Sequence, residues 1–250
     1  MVLGLDHDSS RWLLFYFPVS WLTQFGHGLV TTVVGPTQPY LARNTGVDID
    51  TINLVWTFGF FGYMVGSLGT SFIFKEYLKA DWAKLVFLSV TICATGAIMI
   101  ILPFTSSFAV LVTARLLQIL ALGAFCTADA SLIVSLLGPE KSRPFTMAFH
   151  ALIGAGFLAA TFLVRPFLPD NKNTDIDQIC GRANQTDPST SQDMEESLGS
   201  SQEDPALSVV SEGVPTIAWP FIISGAWCIV FSFGFLVLAK LPYKVTLCLY

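Results

Sequence analysis

Long apolar runs separated by short polar breaks dominate this chain. Apolar stretches of at least 20 residues fall near 12–36, 52–74, 85–104, 108–137, 144–168 and 216–240. About 20 apolar residues in a helix cross a hydrocarbon core of ~30 Å. Within lipid every backbone polar group must be bonded internally, which leaves helices or closed barrels. A barrel would show alternating segments of about 10 residues, and these runs are continuous. The pattern therefore predicts an all-α membrane protein with six transmembrane helices. The divisions are 1–168 for the first five helices, 169–215 for a polar loop, 216–240 for the sixth helix and 241–250 for a short tail.

Composition agrees and excludes other classes. Of 250 residues, 53% are hydrophobic and 12% charged, whereas a soluble domain carries about 25% charged residues. A soluble enzyme, a nucleic-acid binder and a disordered chain are all poor fits. The net charge of −5 says little about the membrane part. The 169–215 segment alone holds ten acidic residues against Lys172 and Arg182. Its composition predicts a flexible acidic loop that cannot bury a core of its own.

Lys and Arg in the short connections set the expected orientation. With the N-terminus in the cytoplasm, Arg11, Lys75, Lys79, Lys84, Lys141, Arg143, Lys240 and Lys244 lie inside, against Arg43, Arg165, Lys172 and Arg182 outside. Both termini are then cytoplasmic and the acidic loop is extracellular. That loop carries the sequon Asn184-Gln185-Thr186, a glycosylation acceptor only on that side. The expected location is the plasma membrane. The cysteines Cys93, Cys126, Cys180, Cys228 and Cys248 are too scattered for a disulfide framework.

Ionisable residues inside a membrane are costly and usually line a pathway. Here they are His27, Arg115, Asp129 and His150. On the fourth stretch, Arg115, Gln118, Leu122, Cys126 and Asp129 share one helical face. Arg115 and Asp129 are 14 residues apart, roughly 21 Å along a helix, so they cannot pair with each other. Asp129 reads either as hydrated near the cytoplasmic surface or as part of a cavity. Each histidine reads either as a helix–helix hydrogen bond or as a wall of that cavity. The first stretch adds Gln24, His27 and Thr31 on one face, and the fifth adds Thr146, His150 and Gly154. Trp56 is either an interfacial anchor or a platform for a solute ring. Gly59, Gly62, Gly66 and Gly69, with Gly154 and Gly156, are spaced for close helix packing. The usual catalytic signatures (G-x-S-x-G, H-E-x-x-H, C-x-x-C, a phosphate-binding glycine loop) do not occur, so no enzyme activity, metal or organic cofactor is expected.

Several local patterns resemble a known family. Arg115-Leu-Leu-Gln118 followed by Gly123 resembles the helix-4 signature of the major facilitator superfamily. Gly35-Pro36-Thr37, Gly66-Ser67-Leu68-Gly69 with Phe74-Lys75, Phe149-His150 with Gly154 and Gly156, and Pro166-Phe167-Leu168 before a long loop resemble the sodium-dependent glucose transporter group. That group includes the major facilitator superfamily domain-containing protein 4 members. The resemblance implies the N-terminal six-helix half of a major facilitator fold and transport of a small solute. A hexose is the implied solute, with sodium as the implied co-transported ion. His150 matches a helix-5 histidine of the group. Cys126-Thr127 stands where the group tends to have Asp-Thr, and the carboxylate Asp129 lies three residues later. Gln24, His27, Trp56, Gln118 and His150 are the expected solute-binding residues, and Arg115 and Asp129 the expected charge-pair or ion-coupling residues. The carriers of this superfamily place their site between two six-helix halves. The chain therefore reads as one half of a carrier, which a second half or a homodimer would complete. The alternative is a non-transporting membrane protein that partners a full-length carrier.

Overall fold

A computed structural model describes residues 7–78, 80–168 and 216–241, all within one compact unit. The described regular structure is helical: α1 (His7–Val33), α2 (Gln38–Thr45), α3 (Ile49–Ile52), α4 (Leu54–Glu76), α5 (Asp81–Ile101), α6 (Phe108–Lys141), α7 (Arg143–Val164) and α8 (Trp219–Lys240), with short 3₁₀ turns at Leu102–Phe104, Arg165–Phe167 and Thr216–Ala218. The six expected stretches correspond to α1, α4, α5, α6, α7 and α8. The acidic loop with Asn184 and Cys180, and the tail after Leu241, lie outside the described residues.

Among the described residues, five segments are long and apolar enough to cross a membrane: Ile49–Phe74, Trp82–Phe104, Phe108–Lys141, Arg143–Phe167 and Thr216–Lys240. The sixth expected span, α1, has the length at 27 residues. Its buried polar residues Ser20, Thr23, Gln24 and His27 make it less apolar than the others. The bundle leaves large apolar side chains bare, among them Phe61, Leu68 and Phe72 on α4, and Leu158 and Phe162 on α7. Such a surface needs lipid to cover it. The chain is an all-α membrane protein.

Proline and glycine set the element ends. Pro36 disfavours helix at the residue before it, and α1 stops at Val33. The Thr37 hydroxyl then donates to the carbonyls of Val33 (2.9 Å) and Val34 (3.1 Å) that the helix end would leave bare. Gly138 breaks α6 with φ 79° and ψ 166°, a conformation only glycine adopts without strain, so the straight part of α6 ends at 137 as expected. The sequence reading missed α2, a short helix closed by Gly46 at φ 69°.

Asp48 caps α3: its carboxylate accepts from the Thr51 hydroxyl (2.5 Å) and the Thr51 backbone N–H (3.0 Å). These bonds favour the charged form and hold the Asp48 carboxyl below its ordinary value. A depressed folded value means the cap is intact above the ordinary carboxylate range and is lost as pH falls through the folded value. Hydrogen exchange at the Thr51 amide is expected to speed up as pH falls below about 4, after correction for intrinsic rates, and to be already fast at neutral pH in Asp48→Ala.

The long helices pair mainly with non-neighbours: α1 with α7, α4 with α6, and α5 with α8. Glycine lets each pair approach closely. A Cβ built on Gly28 would lie 2.2 Å from the Ile153 carbonyl, and one on Gly156 would lie 2.2 Å from the Phe25 carbonyl. On α4, Gly62 and Gly66 would meet the carbonyls of Leu116 (2.7 Å) and Leu120 (2.1 Å), while Gly123 on α6 faces Tyr63. Gly96 and Gly225 face each other between α5 and α8 at 2.6 Å. The expected packing glycines divide accordingly. Gly62, Gly66 and Gly156 pack, and Gly59 makes only ordinary contacts. Among the described residues nothing lies within 4 Å of a Cβ built on Gly69 or Gly154, so neither packs a helix within this bundle. Spacing put them on a glycine-bearing helix, but their faces meet no neighbouring helix among the described residues.

Candidate functional site

Two buried polar assemblies are built on α1 and α6. The first surrounds Asp129, which is fully buried. Its carboxylate accepts from the Tyr16 hydroxyl, from Ser20 Oγ (2.7 Å) and from Gln24 Nε2 (3.1 Å). Residues 16, 20 and 24 rise one turn at a time on a single face of α1. The three bonded groups are all donors, the inventory that an acceptor-only carboxylate satisfies. Hydration at the cytoplasmic surface is thus corrected: Asp129 sits inside the bundle and is solvated by the protein.

Gln24 extends this assembly. With its amide nitrogen committed to Asp129, its oxygen faces His27 Nδ1 at 3.3 Å. An amide oxygen only accepts, so this contact is a hydrogen bond when His27 carries a proton on Nδ1. Sequence reading missed Tyr16 and Ser20, although their step of four to Gln24 was available as a signal.

The second assembly surrounds Arg115, the largest fully buried side chain. Nη1 donates to Gln118 Oε1 (2.7 Å) and Nη2 to the Thr31 carbonyl (3.3 Å). The guanidinium carbon stands 5.3 Å from the centre of the Trp56 ring, within cation–π range. Gln118 is itself anchored by the Thr95 carbonyl (3.4 Å) and Met99 Sδ (3.1 Å) on α5. Among the described residues Arg115 and Asp129 are each held by neutral groups.

Between α1, α4, α6 and α7 lies a cavity of about 360 Å³. Its wall takes His27 and Thr31 from α1, Trp56, Phe60 and Tyr63 from α4, Arg115, Ile119, Leu122 and Cys126 from α6, and His150, Ile153 and Phe157 from α7. That volume falls within the usual small-molecule range. Of the expected solute-binding residues, His27, Trp56 and His150 meet here, joined by Arg115. Gln24 and Gln118 do not line the cavity. Both are fully buried and spend their amides on holding His27 and Arg115 in place. Asp129 is likewise outside the wall. Tyr63 and Phe60 belong to the wall and were not foreseen, since a rim aromatic reads the same as a lipid-facing one.

The arrangement defines a membrane bundle with an aromatic cavity furnished with a few hydrogen-bonding groups. Over 143 residues the chain is 27% identical to the sodium-dependent glucose transporter 1 of Rattus norvegicus, a match covering 56% of this chain and 28% of that protein. The chain thus spans well under two thirds of the length of this relative. No protein-family model matches the chain, and no solved structure does. The membrane-length helices and this likeness together support a transporter-type role.

Proposed function

We propose that the chain carries a hexose across the plasma membrane by alternating access, with sodium as the co-transported ion and both termini cytoplasmic. The observation that carries this reading is the cavity between α1, α4, α6 and α7. Its rings (Trp56, Phe60, Tyr63) suit the faces of a pyranose, and Thr31, His27 and His150 suit its hydroxyls. Gln24 and Gln118 act as positioning residues behind that wall. The glycine contacts of the α1–α7 and α4–α6 pairs give smooth faces that rock without side chains interlocking. Asp129, the buried carboxylate among the described residues, is the sodium-coupling residue of this reading. A second six-helix half or a second copy would close the other side of the cavity. No step changes the solute covalently.

The test is uptake of labelled glucose into proteoliposomes carrying the chain, with and without a sodium gradient. Saturable, sodium-stimulated uptake is expected, reduced at least tenfold in His150→Ala and in Trp56→Ala, while Phe162→Ala on the lipid face of α7 retains it. No uptake from correctly inserted protein overturns the reading in favour of a non-transporting membrane partner. Uptake indifferent to sodium removes the coupling ion alone.

A further inference from the structure

The charge balance of the cavity remains unexplained by a neutral solute. Its wall holds the cation Arg115, and no Asp or Glu is among the lining residues. Arg115 is 1% exposed, and its guanidinium does not shed its charge. Its hydrogen-bond partners, Gln118 and the Thr31 carbonyl, are neutral, and Trp56 supplies only a ring face. Asp129 is on the same helix roughly 21 Å away by residue count, too far to neutralise it. Arg115 Nε is buried without a hydrogen-bond partner among the described residues. A buried cation with a donor to spare is costly unless something anionic completes it.

We propose that the solute of this cavity carries a carboxylate that docks on Arg115, making a sugar acid (a hexuronate) a better fit than the parent hexose. The Nε–H and the neighbouring Nη–H form a two-donor fork matched to a carboxylate. Trp56 packs on the guanidinium and fixes its plane, and Gln118, tied to α5, fixes its depth. The pyranose ring then lies against Tyr63 and Phe60, with its hydroxyls towards His27 and His150. The ring half of this assignment rests on the hexose reading above, whereas the carboxylate half rests on Arg115.

The test is binding to the full chain in phosphatidylcholine nanodiscs, by titration calorimetry at fixed ionic strength, with glucuronate, glucose and acetate as probes. Glucuronate is expected to bind at least tenfold more tightly than glucose. Arg115→Lys is expected to keep part of the preference and Arg115→Gln to abolish it. Equal or better binding of glucose in the wild-type chain overturns the proposal and leaves the hexose reading standing. A preference that persists in folded Arg115→Gln also overturns it, as does failure of both carboxylates to bind. Binding of glucuronate and acetate, displaced by each other, with none of glucose, upholds the anion site and removes the hexose reading. The wild-type comparison and the lysine variant decide the matter even where the glutamine variant does not fold.

Discussion

Asp129→Ala is expected to lower stability by about 3 kcal/mol, because it removes one acceptor from three buried donors. Leaving a buried donor unpaired costs about 1–3 kcal/mol in soluble proteins. Interhelical hydrogen bonds within membranes average closer to ~0.6 kcal/mol, because the alternative states also find partners. Three bonds to one carboxylate, with Tyr16 and Ser20 at 0% exposure, lie between these limits. The site also has structural leverage: α1 packs mainly on α7 and α8, and the carboxylate ties its polar face to α6. For a chain of this size ~3 kcal/mol corresponds to a drop of roughly 10 °C in melting temperature, read by tryptophan fluorescence in detergent. Asp129→Asn should fall between alanine and wild type, since the amide keeps an accepting oxygen but turns a donor towards other donors. Ser131→Ala, whose hydroxyl bonds back to the Thr127 carbonyl of its own helix, should change stability by under about 0.5 kcal/mol. If Asp129→Ala melts together with Ser131→Ala, the network carries no stability. A functional consequence comes with it. Without the carboxylate the Gln24 amide is free to turn, and His27 loses its fixed partner at Nδ1. Solute affinity should then weaken along with stability.

The same residues mark where sequence reading stops. Length and apolarity located the helices, and the break at Gly138 and the stop before Pro36 follow from backbone chemistry at single positions. The polar face of α6 was also legible, because 3.6-residue periodicity aligns Arg115, Gln118 and Asp129. What lies opposite that face was not. Periodicity assigns a side chain to a stripe, while its partner belongs to another helix whose rotation depends on the whole packing. Gln24 and Gln118 thus looked like solute ligands, yet they face His27 and Arg115. Tyr16 and Ser20 looked like ordinary residues of an apolar helix until Asp129 was placed beside them. The pairings α1–α7, α4–α6 and α5–α8 join helices distant in the chain, and neither composition nor short loops implied them. The likeness to a transporter concerned the family pattern of residues and gave no such contacts.

The helix pairings lead to the other large expected effect, in the glycines. Gly66→Leu and Gly156→Leu should abolish recovery of monodisperse, folded protein, whereas Gly69→Leu and Gly154→Leu should behave as wild type in size-exclusion chromatography with fluorescence detection. All four are helical positions where leucine is locally a better helix former than glycine. Any difference between them must therefore come from what the new side chain meets. At Gly66 and Gly156 the Cβ alone would stand 2.1 Å from the Leu120 carbonyl and 2.2 Å from the Phe25 carbonyl. Those obstacles are backbone atoms of the facing helix, which no side-chain rotation clears. Overpacking a core typically costs 1–3 kcal/mol where side chains yield, and separating two helix backbones by about the radius of a methyl group costs more. It also breaks the neighbouring contacts, since Gly156 lies directly across from Gly28 and Gly66 shares its face with Gly62. At Gly69 and Gly154 the built Cβ meets nothing within 4 Å among the described residues, so leucine there adds apolar surface without a clash. Equal recovery of all four variants would mean that these helices do not approach as closely as described. The α1–α7 and α4–α6 pairs would then not shape the cavity, and the placement of Arg115 against Trp56 would lose its support.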